Sequence, residues 1–245
     1  MTWGTMAPMS PMTHDLDLDD LAEAGQRLVR TVDGLHGDDW RAPSSLPGWS
    51  RAHVVAHLAL NGEALRDVLR GEVDHERVPM YSSQEARDAD IAELAEAEPA
   101  ELRERLLASL TELVDAALAM PADAWEHRFE RTPGGQTLPL DAIPLMRLRE
   151  IEIHHVDLDC GYSPDDWPRR FSELVVTGMV KRLDPEAGFR IAPLDTERSW
   201  DVDDVDDDPV VVTGPVAHIA WWLTGRSPSE QVSCSRGDLP TIGAW

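Results

Sequence analysis

Two residues of types that bind metal ions lie one helical turn apart in the run REIEIHHVDL, residues 149–158. At about 100° per residue, Glu150 and His154 lie about 40° apart on one face of a predicted helix, so both side chains can reach one ion. Asp157 shares this face and could orient a ligand histidine by bonding to its second ring nitrogen. The residue types and their spacing are therefore those of two ligands of a metal site.

A second pair of histidines, His53 and His57, lies on another apolar helical stretch. His57 is at the margin of the buried face of that helix and is therefore predicted to point into the protein interior. If the two helices face each other, His57, Glu150 and His154 supply two nitrogens and one oxygen to a single ion. Catalytic zinc typically has three protein ligands and keeps one position open for water or substrate.

The same residues also have structural interpretations. Burying an unpaired carboxylate costs several kcal/mol or raises its pKa, so Glu150 needs a partner, which could be Arg147 or Arg149 instead of a metal. A histidine on an apolar face is often a core residue with its hydrogen bonds satisfied, and His155, on a different face, is predicted to be structural. These residues alone leave a metal site and a buried polar network about equally supported.

Helical periodicity predicts the elements that must position these side chains. The predicted helices are 16–35, 51–71 with Ser50 as its N-terminal cap and Gly71 at its end, one or two within 84–119 broken at Pro99, and 145–160. A turn-rich connection, FERTPGGQTLPLDAIP, precedes the last of them. Four amphipathic helices favour an antiparallel bundle, and bundle cores are common places for a metal.

The pattern changes after a predicted linker at 163–168. Helical runs at 171–183 and 216–225 alternate with short strand-like runs, FRIAPL, RSWDV, PVVV and QVSCS. The sequence therefore predicts a disordered leader at 1–14, a helical bundle at 15–165 and a small α/β domain at 166–245. The acidic run DVDDVDDD lacks the glycine and terminal glutamate of a calcium loop and is predicted to be solvated.

Composition restricts the partners. With 46 acidic and 22 basic residues the formal charge is −24, which repels phosphate backbones and anionic lipid surfaces, so nucleic acid and membranes are disfavoured partners. No apolar run approaches the ~20 residues that cross a bilayer. The N-terminus lacks the basic and apolar regions of a secretory signal. Two cysteines, Cys160 and Cys234, are too few for a disulfide framework and are expected to be reduced thiols in a cytoplasmic protein.

Three separated motifs, in this order, carry a resemblance to a known family: LPGWSRAHVVAHLALNGEAL (46–65), REIEIHHVDLDCGY (149–162) and AWWLTGR (220–226). The sequence resembles the mycothiol-dependent maleylpyruvate isomerase family over nearly its whole length from about residue 15. The resemblance implies a DinB-like four-helix bundle with a divalent metal, usually zinc, followed by a small α/β domain similar to sterol-carrier folds.

The resemblance also implies roles for individual residues. It gives the metal ligands as His57, Glu150 and His154, and it does not support His53. It points to Arg226, in the LTGR turn, as a residue that completes the active site, although an arginine there could instead interact with the helix C-terminus. Arg87, in the ARDADI segment, matches more loosely as a second candidate catalytic residue.

The activity implied by the resemblance is cis–trans isomerisation of maleylpyruvate to fumarylpyruvate, with zinc or another divalent metal and mycothiol as cofactors. The partners are then a small thiol and a small anionic or electrophilic substrate, and the chain could be a monomer or a homodimer. One alternative is a mycothiol-dependent S-transferase that conjugates an electrophile on the same scaffold. Another is a protein that binds a metal or ligand without catalysing a reaction.

Overall fold

The chain folds into two compact units, Met1–Cys160 and Gly161–Trp245. A computed structural model describes residues 12–183, 185 and 188–242. The division falls after Cys160, whereas the sequence predicts it after residue 165. The expected leader, residues 1–14, lies mostly outside the described residues, and its last three residues belong to the first helix.

The described residues of the first unit form five α-helices, which are α1 (Met12–Asp33), α2 (Arg51–Val73), α3 (Gln84–Ala95), α4 (Pro99–Leu118) and α5 (Ile143–Asp157). Helix α2 packs mainly against α4, and α1 packs mainly against α5. Further contacts of α1 with α4 and of α2 with α5 close a four-helix bundle, and the short α3 packs on α2. The predicted helical bundle is therefore confirmed.

Local sequence sets where these helices begin. The Ser50 hydroxyl accepts a hydrogen bond from the His53 backbone N–H, which caps α2 as predicted. Pro99 occupies the first turn of α4, where its missing N–H has no cost, and this explains the predicted break before it. The periodic positions Leu21, Leu28 and Val32 of α1 are buried, as their spacing predicts.

The end of α2 differs from the prediction. The helix continues two residues past Gly71 and ends at Val73. The terminating residue is His75, which has a φ of 59°, and the Glu76 N–H donates to the Gly71 carbonyl at 2.8 Å. This is a Schellman turn with a histidine in the position that glycine usually occupies. The prediction failed because it took the nearest glycine as the stop signal.

A β-hairpin occupies the connection that the sequence presented only as turn-rich. Strand β1 (Arg128–Glu130) pairs antiparallel with β2 (Thr137–Pro139). Gly134, with a φ of 68°, lies in the turn between them, a conformation that L side chains rarely adopt. The backbone N–H groups of Met80 and Tyr81 donate to the carbonyls of Glu130 and Arg131, so the segment before α3 is attached to this hairpin.

The second unit is a small α/β domain, as expected. Its elements are α6 (Arg169–Val180), β3 (Phe189–Ile191), β4 (Trp200–Val202), β5 (Val210–Thr213), α7 (Val216–Leu223) and β6 (Ser233–Cys234). The sheet order is β4-β3-β5-β6, in which β3 and β5 are parallel and the other pairs antiparallel. Helices α6 and α7 pack together, and the sheet buries Phe189, Ile191 and Val212.

The acidic run at 201–208 is divided between a strand and a connection. Asp201 lies in β4, where its carboxylate accepts from Arg190 at 2.6 Å, and Asp208 pairs with Arg236. The intervening residues join β4 to β5. Among the residues that the structure describes, no helix combines the length and apolar character needed to cross a bilayer.

Candidate metal centre

Helices α2 and α5 bring the three predicted ligands together. One ligand atom from each of His57, Glu150 and His154 lies within 4.8 Å of the other two. The Nε2 atom of His57 is 2.8 Å from Glu150 Oε2, and the Nε2 atom of His154 is 3.4 Å from the same oxygen. The spacing of four on α5 places Glu150 and His154 on one face, as predicted, and α2 supplies the third group from across the bundle.

Asp157 fixes the orientation of His154. Its buried Oδ2 atom is 2.8 Å from His154 Nδ1, and its Oδ1 accepts a hydrogen bond from the Ser45 hydroxyl at 3.0 Å. The Ser45 N–H also donates to the Asp157 carbonyl, so the loop before α2 is attached to the end of α5. With Nδ1 bonded to a carboxylate, Nε2 is the nitrogen that faces the cluster.

His57 is held by contacts on both of its nitrogens and on its ring. Arg87 Nη2 lies 3.2 Å from His57 Nδ1, on the side opposite to Glu150. The ring of Trp49, from the loop before α2, meets the His57 ring edge-on with centroids 5.7 Å apart. Because a guanidinium only donates hydrogen bonds, the Arg87 contact requires a lone pair on Nδ1 and places the His57 proton on Nε2.

The protonation states favour ligand binding. Burial lowers the pKa of His57 to about 4, despite the opposing hydrogen bond to Glu150, so this imidazole is neutral near pH 7. Burial would also lower the pKa of His154, but hydrogen bonds to Asp157 and Glu150 outweigh it and raise that pKa, which marks a more basic ring. Burial would raise the pKa of Glu150, but its bonds to the two histidines hold it well below its usual value.

The donor set and its spacing fit a divalent metal. A tetrahedral site with bonds of about 2.0–2.1 Å places neighbouring ligand atoms roughly 3.3 Å apart. The His154–Glu150 separation of 3.4 Å already matches this value. The His57–Glu150 separation of 2.8 Å is that of a hydrogen bond, and it would have to lengthen by about half an ångström to become a ligand–ligand distance.

Behind the cluster lies a polar network that sequence reasoning missed. Asn61, one turn after His57 on α2, accepts a hydrogen bond from Arg147 at 2.8 Å and donates to the Tyr81 hydroxyl at 3.5 Å. Arg147 is fully buried, and burial lowers its pKa to about 10 while the charge of Glu150 opposes that shift. A Cβ on Gly62 would lie 3.0 Å from Arg147 Nη2, so glycine there makes room for this arginine.

The other candidate residues of this unit have structural partners. His53 Nδ1 lies 2.8 Å from the Ser50 hydroxyl at the start of α2. His155 Nε2 lies 2.7 Å from the Thr31 hydroxyl of α1, as expected for a structural histidine. The Cys160 thiol donates to the Leu158 carbonyl, and burial raises its pKa, so it is not an activated nucleophile.

Arg226 belongs to the second unit, in the turn that follows α7. Its Nη1 donates to the Thr224 carbonyl at 2.9 Å, and its guanidinium carbon lies 5.5 Å from the centre of the Trp221 ring. These contacts agree with the helix-terminal role considered for it, and they leave its catalytic role as a prediction.

Comparison with known proteins identifies the family. The mycothiol maleylpyruvate isomerase N-terminal domain matches residues 21–159, more than half of the chain, and this range includes all three clustered ligands. The chain belongs to the mycothiol maleylpyruvate isomerase family. No curated protein sequence matches it.

Two solved structures extend the likeness beyond the N-terminal domain of the family. One is the crystal structure of the mycothiol-dependent maleylpyruvate isomerase, 29% identical to this chain. The other is a mutant of that enzyme in which one histidine is replaced by alanine, 28% identical. Each has a TM-score of 0.82 and covers 95% of this chain and 97% of the other. The expected fold, a DinB-like bundle followed by a small sheet domain, is thereby confirmed.

Proposed function

We propose that this chain is a metal-dependent isomerase that uses mycothiol to convert maleylpyruvate into fumarylpyruvate. The observation that carries the proposal is the convergence of His57, Glu150 and His154 at one point in a bundle of this family. The similarity to mycothiol-dependent maleylpyruvate isomerase over 95% of the chain supports the reaction.

We assign the metal to these three side chains and propose zinc, which takes nitrogen and oxygen ligands in catalytic sites. When bound, zinc would lower the pKa of a thiol ligand, ordinarily ~8.5, and so favour the nucleophilic thiolate form of mycothiol. Two neutral imidazoles and one carboxylate leave a net positive charge on a divalent ion, which favours an anionic sulfur. Asp157 would hold His154 in the tautomer and orientation that this ligand set needs.

The reaction needs a reversible addition because a conjugated cis double bond does not rotate freely. A thiolate that adds to one alkene carbon forms a C–S bond and moves the π electrons toward the neighbouring carbonyl, which leaves a C–C single bond that rotates. Breaking the C–S bond restores the alkene in the trans form and releases the thiolate. No oxidant or reductant is consumed, and no cysteine of the chain is required.

The arginines would manage the negative charge of the substrate. When His57 uses Nε2 as a ligand atom, its proton is on Nδ1, and the Arg87 Nη2 that now bonds to Nδ1 is free to donate to another acceptor. Arg87 would then meet a substrate carboxylate beside the metal. We propose the same type of contact for Arg226, whose planar guanidinium suits a carboxylate.

The experiment begins with metal content, measured by elemental analysis of protein purified without chelators. We expect about one zinc per chain in the wild type and in the His53→Ala control, and a loss of zinc in His57→Ala. His53 is a suitable control because it lies one turn earlier on the same helix, and its side chain is hydrogen-bonded to Ser50 and is not part of the ligand cluster. Zinc that is absent from the wild type, or retained fully by His57→Ala, would contradict the site.

Activity is then measured on maleylpyruvate with and without mycothiol. We expect fumarylpyruvate to form only with the thiol, at a rate that His57→Ala abolishes together with the metal. Turnover that survives complete metal removal would contradict the mechanism. Consumption of mycothiol with a stable thioether product on an electrophile, and no turnover of maleylpyruvate, would instead identify a thiol S-transferase.

A further inference from the structure

Two arginines lie against one tyrosine beside the metal-ligand cluster. The guanidinium carbon of Arg87 is 5.7 Å from the centre of the Tyr81 ring, and that of Arg131 is 5.8 Å from the same point. Both distances are within the ~6 Å range of cation–π contacts. Arg87 also lies within hydrogen-bond distance of His57, so these two positively charged side chains adjoin a proposed metal ligand.

Arg131 retains its capacity to bind an anion. Within the residues that the structure describes, the guanidinium of Arg131 makes no ion pair and no side-chain hydrogen bond, and it lies over the Tyr81 ring. The chain carries 46 acidic and 22 basic residues, and buried or half-buried arginines such as Arg27 and Arg66 are paired with carboxylates. A half-buried arginine that stays unpaired amid such an excess of carboxylates has five N–H donors available to a ligand.

The backbone fixes Arg131 in this position. Its N–H donates to the Gln136 carbonyl at 2.8 Å across the hairpin turn, and its carbonyl accepts from the Tyr81 N–H at 2.9 Å. The side chain therefore leaves a hydrogen-bonded backbone directly beside Tyr81. Arg87 lies over the same Tyr81 ring, and its Nε is buried without a hydrogen-bond partner among the described residues.

We propose that Arg131, together with Arg87 and Tyr81, forms a carboxylate-binding subsite that holds one end of a dianionic substrate while its double bond lies at the metal. Arg87 is shared with His57 and Asp88, whereas Arg131 can present its guanidinium edge to a carboxylate in a bidentate contact. Arg131 is then the residue that selects dicarboxylates over monocarboxylates. This assignment rests on the proposed isomerase function for the identity of the substrate.

The kinetic test compares Arg131→Gln with Arg30→Gln, after the zinc content and melting temperature of each variant have been measured and found to match those of the wild type. Arg30 is a matched control because it is exposed, lies in the same unit on α1 and has no described ion-pair partner. For maleylpyruvate, we expect Arg131→Gln to raise KM about 10- to 100-fold with kcat within about twofold of wild type, since it removes a charge-assisted contact. Arg131→Lys should restore part of the loss, and Arg30→Gln should change neither constant.

Two monoanionic analogues of maleylpyruvate, each with one carboxylate replaced by its methyl ester, locate the contact. We expect the KM penalty of Arg131→Gln to disappear for one analogue, which lacks the carboxylate that Arg131 binds, and to persist for the other. A penalty equal for both analogues, or none for the dianion, would overturn the assignment.

A direct measurement of ligand binding tests the carboxylate subsite independently of the proposed reaction. Fumarate affinity is measured by isothermal titration on wild type, Arg131→Gln and Arg30→Gln at one ionic strength. A weakening of about tenfold or more that is confined to Arg131→Gln supports the subsite even if maleylpyruvate is not turned over, in which case only the proposed reaction fails. Equal affinities in wild type and Arg131→Gln, or no fumarate binding to the wild type, would overturn the subsite.

Discussion

Replacing Asp157 by asparagine should weaken metal binding without creating a cavity in the core. Asp157 is fully buried, and one carboxylate oxygen contacts His154 Nδ1 at 2.8 Å while the other accepts from Ser45 at 3.0 Å. Asparagine keeps the shape and can still accept from one partner, but it removes the charge that makes His154 a stronger ligand. Losses of such supporting carboxylates typically cost about 10- to 100-fold in metal affinity, or about 1.4–2.7 kcal/mol.

The assay is competition for zinc against a chromogenic chelator at fixed pH, and the control is Glu152→Gln. Glu152 is an equally buried carboxylate on the same helix, but it pairs with Arg27 of α1 at 2.6 Å. We expect Glu152→Gln to lower the melting temperature and leave zinc affinity unchanged, and Asp157→Asn to lower zinc affinity. If Asp157→Asn folds and binds zinc as tightly as wild type, Asp157 does not act through His154.

Two further predictions concern stability at the end of α2. Burial would raise the pKa of Glu72, but hydrogen bonds from Arg77 and His127 outweigh burial and lower this pKa. The charged carboxylate therefore stabilises the fold at pH values above its unfolded pKa of ~4.3. This stabilisation is lost as the pH falls through the lower pKa of the folded state. Glu72→Gln should therefore lower the free energy of unfolding, measured in urea at pH 7, by about 1–2 kcal/mol, and this difference should shrink below about pH 4. A difference that does not change with pH would show that the charge of Glu72 is unimportant. His75→Gly should raise stability by about 1 kcal/mol, because glycine adopts the positive φ of 59° without strain, whereas a lower melting temperature would show that the His75 side chain itself stabilises the turn.

The features that the sequence predicted correctly are those encoded by short spacings. The spacing of four between Glu150 and His154 places them on one helix face whatever the rest of the chain does, and Ser50 and Pro99 mark helix starts by local chemistry. The convergence of His57 with that face follows once both helices bury their apolar sides in one bundle. Each of these inferences needs only periodicity, burial or the local chemistry of a helix start.

The features that escaped prediction depend on contacts between distant segments. Tyr81 and Arg131 are fifty residues apart in the chain and meet only because the segment before α3 bonds to the hairpin. Ser45 reaches Asp157 from a loop that the sequence marks only as rich in turn residues. His75 ends α2 in a backbone conformation that is rare for any residue except glycine, so no residue-type rule identifies it.

Under the proposed function, the local arrangement of arginines also answers a difficulty that the net charge of −24 raises for a dianionic substrate. Exposed charges farther away than about 8 Å are largely screened at physiological ionic strength, so most of the acidic surface contributes little at the site. A guanidinium in contact with a carboxylate acts at close range, where a charge at 4 Å contributes about 4 kcal/mol at an effective dielectric constant of 20. Arg87 and Arg131, beside Tyr81, can supply such contacts, while Arg147 is buried behind Asn61 and adds a positive charge without reaching a ligand. If the proposed function holds, a few arginines in contact with the ligand decide the affinity of this site for an anion, and the acidic net charge does not prevent an acidic substrate from binding.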